Sequence, residues 1–501
     1  MELDTNFRKV FCFGNSEEKK AVIPVDCSII LPDYFPDVMK ILRYKAKTVK
    51  NPVVSEGGKE TVSGNVNIEV SYISEDGELC SCSQLQPFGH SFECGGKAAA
   101  AEAEIFVGEI GCKAVNKRRI DLHGSIEAVL KIIQAEEKQI LASASGAGAV
   151  CKNESIETVF ITGEFLKNFT VEEKGELGYG KPPFGRIIRS SAFGEVTECH
   201  VIQDKIVTKG EVRVKVLWVP EENEENSEKG PFLSEFVFPV SRMVDADGIL
   251  QSDICDARYD ADFPEISPSD DGQNLNVRVK IGIFARVYRK AKTDFVSDMF
   301  SADFESKVER AKISVINEAV PVSVGEKIFE KFELPETAEE VIDIWMEPKV
   351  PEIGQEGKIL LNADLCMFAK DSDGSPVYFE KEISREIVSS AAGKEIAFYN
   401  LCAGIREEEF SFGNDGKAEI SSSVLIDGTA FCSLSTEAVT ACSVDPDKKA
   451  AEKPAMVLFF GEKGENLWEI AKKYKVSEER IMKENNLSDE ILPEKTMIVI
   501  A

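Results

Sequence analysis

The chain has 501 residues, 43% hydrophobic and 29% charged, which is too long for one hydrophobic core and too apolar for a disordered polymer, so three or four folded domains are expected. Against 59 Lys and Arg stand 88 Asp and Glu, a formal net charge of −29. A surface of that sign repels phosphate backbones and anionic lipid heads, which argues against nucleic acid as a partner. The opening stretch Met1 to Arg8 lacks a basic segment followed by an apolar one, and no later run approaches the roughly 20 apolar residues that span a bilayer. A cytoplasmic protein without a membrane span is the expectation. The 13 cysteines agree with it: they are odd in number and scattered, with Cys12, Cys27, Cys112, Cys151 and Cys255 lacking a near partner in the sequence, and they read as small buried hydrophobes.

Along the chain, the first landmark is Leu31-Pro32-Asp33-Tyr34-Phe35-Pro36-Asp37-Val38-Met39-Lys40-Ile41. It is echoed by Leu334-Pro335-Glu336-Thr337-Ala338-Glu339-Glu340-Val341-Ile342-Asp343-Ile344 and, in degraded form, by Pro182-Pro183-Phe184-Gly185-Arg186-Ile187-Ile188. Pro32, Pro182 and Pro335 thus mark a domain-sized period that occurs three times. Asp33 and Asp37, like Glu339 and Glu340, read as charges on exposed helix starts.

After each anchor apolar residues alternate as in a half-buried strand: Val66, Ile68, Val70 and Tyr72; Val212, Val214, Val216 and Trp218; Ile359, Leu361, Ala363 and Leu365. Asp76-Gly77 and Asp373-Gly374 supply hairpin turns, replaced in the middle unit by an acidic insert over 221–228 that reads as a solvated loop. A second alternating strand follows in each unit, through Ile120, Leu122, Gly124 and Ile126, then Leu275 to Ile283, then Ile420 to Ile426. Long helical patterns are few outside Asp294 to Lys312. Short strands with Gly and Pro turns predict a mainly β chain, with three tandem antiparallel, sandwich-like β repeats at 20–150, 151–300 (the divergent one) and 301–444. Asp445 to Pro454 is polar, bracketed by prolines, and reads as a linker to a last domain at 455–501.

A search for chemistry returns little. His90, His123 and His200 have no zinc-ligand or triad spacing, Cys80-Ser81-Cys82 is too tight for a C-x-x-C pair, and no phosphate loop sits between a strand and a helix. Cys199-His200 are neighbours in a strand pattern, which points them to opposite faces. His123 lies on the polar side of its strand and reads as a surface residue. No catalytic residue, metal site or cofactor is expected, and the chain reads as a non-enzyme.

The last domain carries the most specific pattern. Met456 to Phe460 and Met497 to Ile500 read as short strands, and Leu467, Ile470, Ala471 and Tyr474 fall at i, i+3, i+4 and i+7 of a helix. Asn466 with Glu469 reads as a capping-box-like start, and Ser477 before Glu478 and Glu479 as the N-cap of a second helix. A small α+β domain of βααβ order results, with both helices on one face of a two-stranded sheet.

The run Lys463-Gly464-Glu465-Asn466-Leu467-Trp468-Glu469-Ile470-Ala471, followed by Tyr474, Asn485-Asn486-Leu487 and Ile491-Leu492-Pro493, resembles a LysM domain. With the Leu-Pro-x-x-x-x-x-Val-x-x-Ile anchors and β-rich repeats before it, the chain resembles the SPOCS-domain proteins of spore-forming Firmicutes, the SipL-like coat morphogenetic factors among them. That resemblance implies a non-catalytic scaffold of spore coat assembly in the mother cell, at the forespore outer surface. Its LysM domain would dock on a SpoIVA-like coat morphogenetic ATPase, and its repeats would gather other coat proteins. In the LysM family the groove lies between two loops, here Gly464, Glu465, Asn466 and Leu467 against Asp489, Glu490, Ile491, Leu492 and Pro493, with Leu467, Trp468 and Ile491 as candidate apolar anchors. Core packing is the competing reading for Trp468. The usual LysM ligand is an N-acetylglucosamine polymer such as peptidoglycan, which is the alternative partner; the turn here is Gly-Glu-Asn-Leu where the family has Gly-Asp-Thr-Leu. The absence of an export signal favours a protein partner.

Overall fold

The structure is a computed structural model that describes residues 3–33, 35–94, 98–177, 181–220, 231–269, 274–412, 417–450 and 456–500. Its first seven strands are β1 (Asp4–Ile30), β2 (Val38–Lys50), β3 (Val54–Glu56), β4 (Lys59–Ser74), β5 (Leu79–Glu93), β6 (Ala98–Asn116) and β7 (Arg119–Ser145). The next seven are β8 (Ala149–Glu176), β9 (Phe184–Ile202), β10 (Lys205–Pro220), β11 (Phe232–Asp245), β12 (Ile254–Ala261), β13 (Glu265–Pro268) and β14 (Asn274–Ser301). Then come β15 (Phe304–Phe332), β16 (Glu340–Pro348), β17 (Glu352–Ile353), β18 (Lys358–Lys370), β19 (Pro376–Val388), β20 (Ile396–Phe412) and β21 (Ala418–Lys449). The carboxy-terminal module has β22 (Val457–Gly461), α1 (Leu467–Tyr474), α2 (Glu478–Asn485) and β23 (Thr496–Ile500). The fold is mainly β, and among the described residues the strands pair antiparallel.

Long sheets and short sheets alternate. The long ones run β1-β7-β6, β12-β14-β13 with β8 on β14, and β15-β21-β20; the short ones run β2-β4-β3 with β5 on β4, β11-β10-β9, and β16-β18-β17 with β19 on β18. A hydrophobic core fills the space between each long sheet and its short neighbour, as a sandwich requires. Ile68 and Tyr72 join Ile120, Leu122 and Ile126 in the first core, Val214 and Trp218 join Leu275 and Ile281 in the second, and Leu361 and Leu365 join Ile420 and Ile426 in the third.

The alternating residues Val66 to Tyr72, Val212 to Trp218 and Ile359 to Leu365 are all buried, as their period demands. The opposite face of these strands is also covered, contrary to the one-sided pattern expected: Asn67, Glu69, Ser71, Lys215, Cys366 and Phe368 are buried as well. The cause is a seam in which the short sheets meet. Leu79, Ile188, Leu217, Ile342, Trp345, Cys366 and Phe368 form one apolar cluster there. Arg43 donates to Glu69 at 3.1 Å and to Glu347 at 2.5 Å, Arg189 places two N–H groups on Asp343 at 2.9 and 2.7 Å, and both guanidiniums lie over the Trp345 ring. Burial alone would raise the Glu347 carboxyl, but Arg43 and Lys45 outweigh it and hold it down to about 2. A second buried group ties the long sheets, with Arg286 paired to Glu102 and Glu164 and the Thr429 hydroxyl donating to Asp256 at 2.8 Å. The long hairpins share a further apolar cluster of Val10, Ile140, Ile156, Phe295, Ile313 and Val315.

Several local expectations are corrected. Asp294 to Lys312 is strand, the end of β14 and the start of β15, because its residues are taken up by ladders with β8 and β21; helical spacing yields to tertiary pairing. Asp33 and Asp37 do not start a helix. The anchor is a turn wrapped on Arg118, which donates to the Leu31 carbonyl at 3.2 Å and to Asp37 at 3.1 Å. Glu339 and Glu340 lead into β16, where Glu340 meets Lys370 at 2.9 Å. Asp445 to Lys449 belong to β21 rather than to a linker, and Ala450 N donates to Asp303 O at 2.9 Å; 451–454 lie outside the described residues, as does the acidic insert 221–228. The turns at Asp76-Gly77 and Asp373-Gly374 form, with φ of 79° at Gly77 and 76° at Gly374, a region that favours glycine.

Candidate functional site

The carboxy-terminal module is built as its periodicity requires. Leu467, Ile470, Ala471 and Ile481 are buried against Ile498 and Ile500 of the two-stranded sheet, and Phe459 meets Tyr474 edge-on at 5.9 Å. Asn466 caps α1 by accepting from Trp468 N at 2.8 Å. Ser477 caps α2 differently from expectation: its side chain makes no cap bond, and its backbone carbonyl takes the Arg480 and Ile481 amides at 3.1 and 3.2 Å.

The two loops expected to flank a groove are joined directly. Gly464 N donates to Leu492 O at 2.9 Å, Leu492 N to Glu465 O at 3.0 Å, and Leu467 N to Glu490 O at 2.8 Å. Asn466 and Ile491 form an isolated antiparallel bridge. The Glu465 carboxylate accepts from Glu462 N at 3.0 Å, closing the turn on itself. Gly464, Glu465, Glu490 and Pro493 are exposed on this rim, and Ile491 is 55% exposed. Leu492 is buried beneath it and fixes the loop to the core.

Of the three apolar anchors read from the sequence, only Ile491 stands on the surface. Leu467 is fully buried inside the module, so it cannot reach a ligand. Trp468 is 3% exposed because the rest of the chain covers it: its ring lies 5.3 Å from the Phe300 ring of β14, and its indole Nε1 donates to Asp298 at 2.9 Å. Lys472, one turn further along α1, donates to the same Asp298 oxygen at 2.6 Å, and the Lys475 ammonium lies over Phe300. Burial would raise the Asp298 carboxyl, yet the hydrogen bonds from Lys472 and Trp468 outweigh it and keep it below the usual carboxylate range. The module is therefore seated on the end of β14 through one face of α1. Trp468 and Lys472 share a helix face by their spacing; nothing local in the sequence marks Asp298 or Phe300 as their partners.

Residues 462–501 match the LysM domain family. No curated protein and no solved structure matches the chain. The match points to glycan binding or another interaction role for the module. On the LysM module the exposed apolar side chains are Met456, Leu458, Phe460, Ile491 and Met497, with Phe460 and Met497 paired across the sheet on the face opposite the helices. A surface concavity of about 550 Å³ on the β sheets, away from this module, is lined by Lys40, Leu42, Glu336, Asp371 and Tyr378. No helix is long and apolar enough to cross a membrane, and no cluster of three metal-binding side chains occurs, among the described residues.

Proposed function

We propose that this chain is a non-catalytic scaffold whose LysM module docks a protein partner, and that the partner is a SpoIVA-like coat morphogenetic ATPase at the forespore surface in the mother cell. The observation that carries the reading is the rim of the LysM module. The backbone groups of Gly464, Glu465, Leu467, Glu490 and Leu492 that would hold a sugar are already bonded to one another, while Ile491 and the sheet residues Leu458, Phe460 and Met497 stand exposed. An apolar rim with its polar backbone satisfied suits a protein interface better than a polyhydroxyl ligand.

The reading of the preceding sheets as three tandem SPOCS repeats is supported by the strand order. The first and third groups of seven strands pair identically, and Arg43, Arg189 and Asp343 each follow an apolar residue of the seam, Leu42, Ile188 and Ile342. In this reading the sheets hold the LysM module in a set orientation and offer surface to other coat proteins.

The second reading is binding of peptidoglycan or another N-acetylglucosamine polymer, which the LysM family match itself favours. The two separate in one experiment: the full chain and its Ile491→Ala variant are incubated with purified peptidoglycan and, separately, with the purified coat ATPase. Retention by the ATPase that weakens in the variant supports protein docking; retention by peptidoglycan alone reverses the order.

A further inference from the structure

We propose that Cys199 and Cys255 are a paired dithiol that closes to a disulfide by exchange with a low-molecular-weight disulfide such as oxidised glutathione. Strands β9 and β12 pack along each other so closely that a Cβ on Gly194 would stand 2.5 Å from Tyr259 Cβ, and the Tyr259 hydroxyl bonds to Thr208, the ladder partner of Cys199, at 3.0 Å. Moving along β9 from Gly194, and back along β12 from Tyr259, brings Cys199 beside Cys255. The register shift opposite Lys209 and Gly210 returns Cys199 to the face of β9 that Gly194 occupies. Both cysteines pack on the same apolar core, where the Cys255 thiol donates to the Asp256 carbonyl at 3.6 Å.

Both side chains are half-buried, so a small disulfide can reach the pair while a protein-sized one is hindered. The neighbouring Cys199 thiol and burial push the Cys255 thiol up, so Cys255 holds its proton during the first exchange. The Cys199 thiolate attacks one sulfur of oxidised glutathione, forming a mixed disulfide and releasing one glutathione thiolate. Cys255 then gives up its proton and attacks the Cys199 sulfur, releasing the second glutathione. Two protein thiols become one disulfide and one small disulfide becomes two thiols. The bond would pin the short sheet that carries Arg189 to the long sheet beneath it, with His200 pointing away to Glu198 at 3.5 Å on the other face.

The test uses the full chain in buffers of graded reduced and oxidised glutathione. Each sample is alkylated, digested without reductant and mapped by mass spectrometry. We expect a linked Cys199–Cys255 peptide, lighter than the two free peptides by two hydrogens, and a melting temperature a few degrees higher that returns to its starting value with reductant. The Cys199→Val/Cys255→Ala double variant, which keeps an apolar pair, should fold and lose the oxidation-dependent rise. Full alkylation of both cysteines in the most oxidising buffer overturns the proposal, and so does a rise that persists in the double variant.

Discussion

Two tryptophans hold this molecule together in different ways. Trp345 lies at the seam between short sheets, with the Arg43 and Arg189 guanidiniums over its ring and its own indole donating to Glu347 at 2.7 Å. Trp468 lies at the junction between the LysM module and β14, touching one ring and one carboxylate. Around Trp345, Arg43 and Arg189 are paired with Glu69, Glu347 and Asp343 from other parts of the chain, and the side chains of Arg43, Arg189 and Asp343 are at most 10% exposed. Around Trp468 the partner Lys472 remains 35% exposed. A seam of the first kind is costly to half-break, since the charge left behind has no water to receive it; a contact of the second kind can part and be rehydrated.

The largest expected effect follows at the seam. Arg189→Met leaves the Asp343 carboxylate buried without its cation and should destabilise the fold by about 3–5 kcal/mol, read from denaturant unfolding. A loss below about 1 kcal/mol would place Arg189 with surface pairs and erase the contrast with the LysM junction.

Next comes a pH effect at the same seam. Burial pushes the Glu408 carboxyl up to about 7, with Arg189 and Lys215 offsetting only part of it, and the Lys215 ammonium is buried without a hydrogen-bond partner among the described residues. A carboxyl raised on folding contributes stability that is full below its unfolded value and is lost as pH rises through its folded value. Glu408→Gln keeps the acceptor for Met346 N, at 2.6 Å in the parent, and removes the ionisation. Relative to the parent it should gain up to about 3 kcal/mol between pH 5 and pH 8, measured as the difference between the two unfolding curves at each pH. A difference that does not change with pH would show Glu408 to be ionised throughout and its surroundings wet.

What could be read from the residues divides along the same line. The LysM module was legible down to its cap, because Asn466, Leu467, Ile470 and Ala471 act on one another within a helical turn. The alternating strands were legible too, since Val66 to Tyr72 each meet the core by a period of two. The seam was not: Arg43, Arg189 and Asp343 are far apart in the chain and each reads alone as a surface charge. Arg118 likewise organises the first anchor from a hairpin some eighty positions on, so the anchor by itself reads as a helix start. The burial of Leu467 follows from its helical spacing within the module, whereas that of Trp468 was not legible, because what covers it comes from β14.

At the junction, Asp298→Ala removes both hydrogen bonds that seat α1 and leaves Phe300 as the apolar contact. The expected loss is about 2 kcal/mol of seating free energy, seen as a red shift of Trp468 emission in a Trp218→Phe/Trp345→Phe background and as faster amide exchange along α1, with exchange in the seam unchanged. An unshifted spectrum would mean that the Phe300 contact alone seats the module and that the junction resembles the seam more than its exposure implies.

The smallest effect on stability should be at the rim. Ile491 is 55% exposed and its neighbours Glu490 and Leu492 are held through backbone bonds that Ala can also make, so Ile491→Ala should change unfolding free energy by no more than about 0.5 kcal/mol. If the rim is the docking surface, the same truncation should weaken partner binding about tenfold or more, the loss typical of an apolar anchor, measured by titrating the full chain against immobilised partner. Leu467→Ala cannot serve as its companion, because that residue lies in the module core and its removal would lower stability and binding together. Only a residue that is outside the core and on the rim can separate adhesion from folding, and among the three anchors read from the sequence Ile491 alone meets both conditions. A variant as stable as the parent and as tightly bound would move the docking surface off the loops, to the sheet face where Phe460 and Met497 are paired.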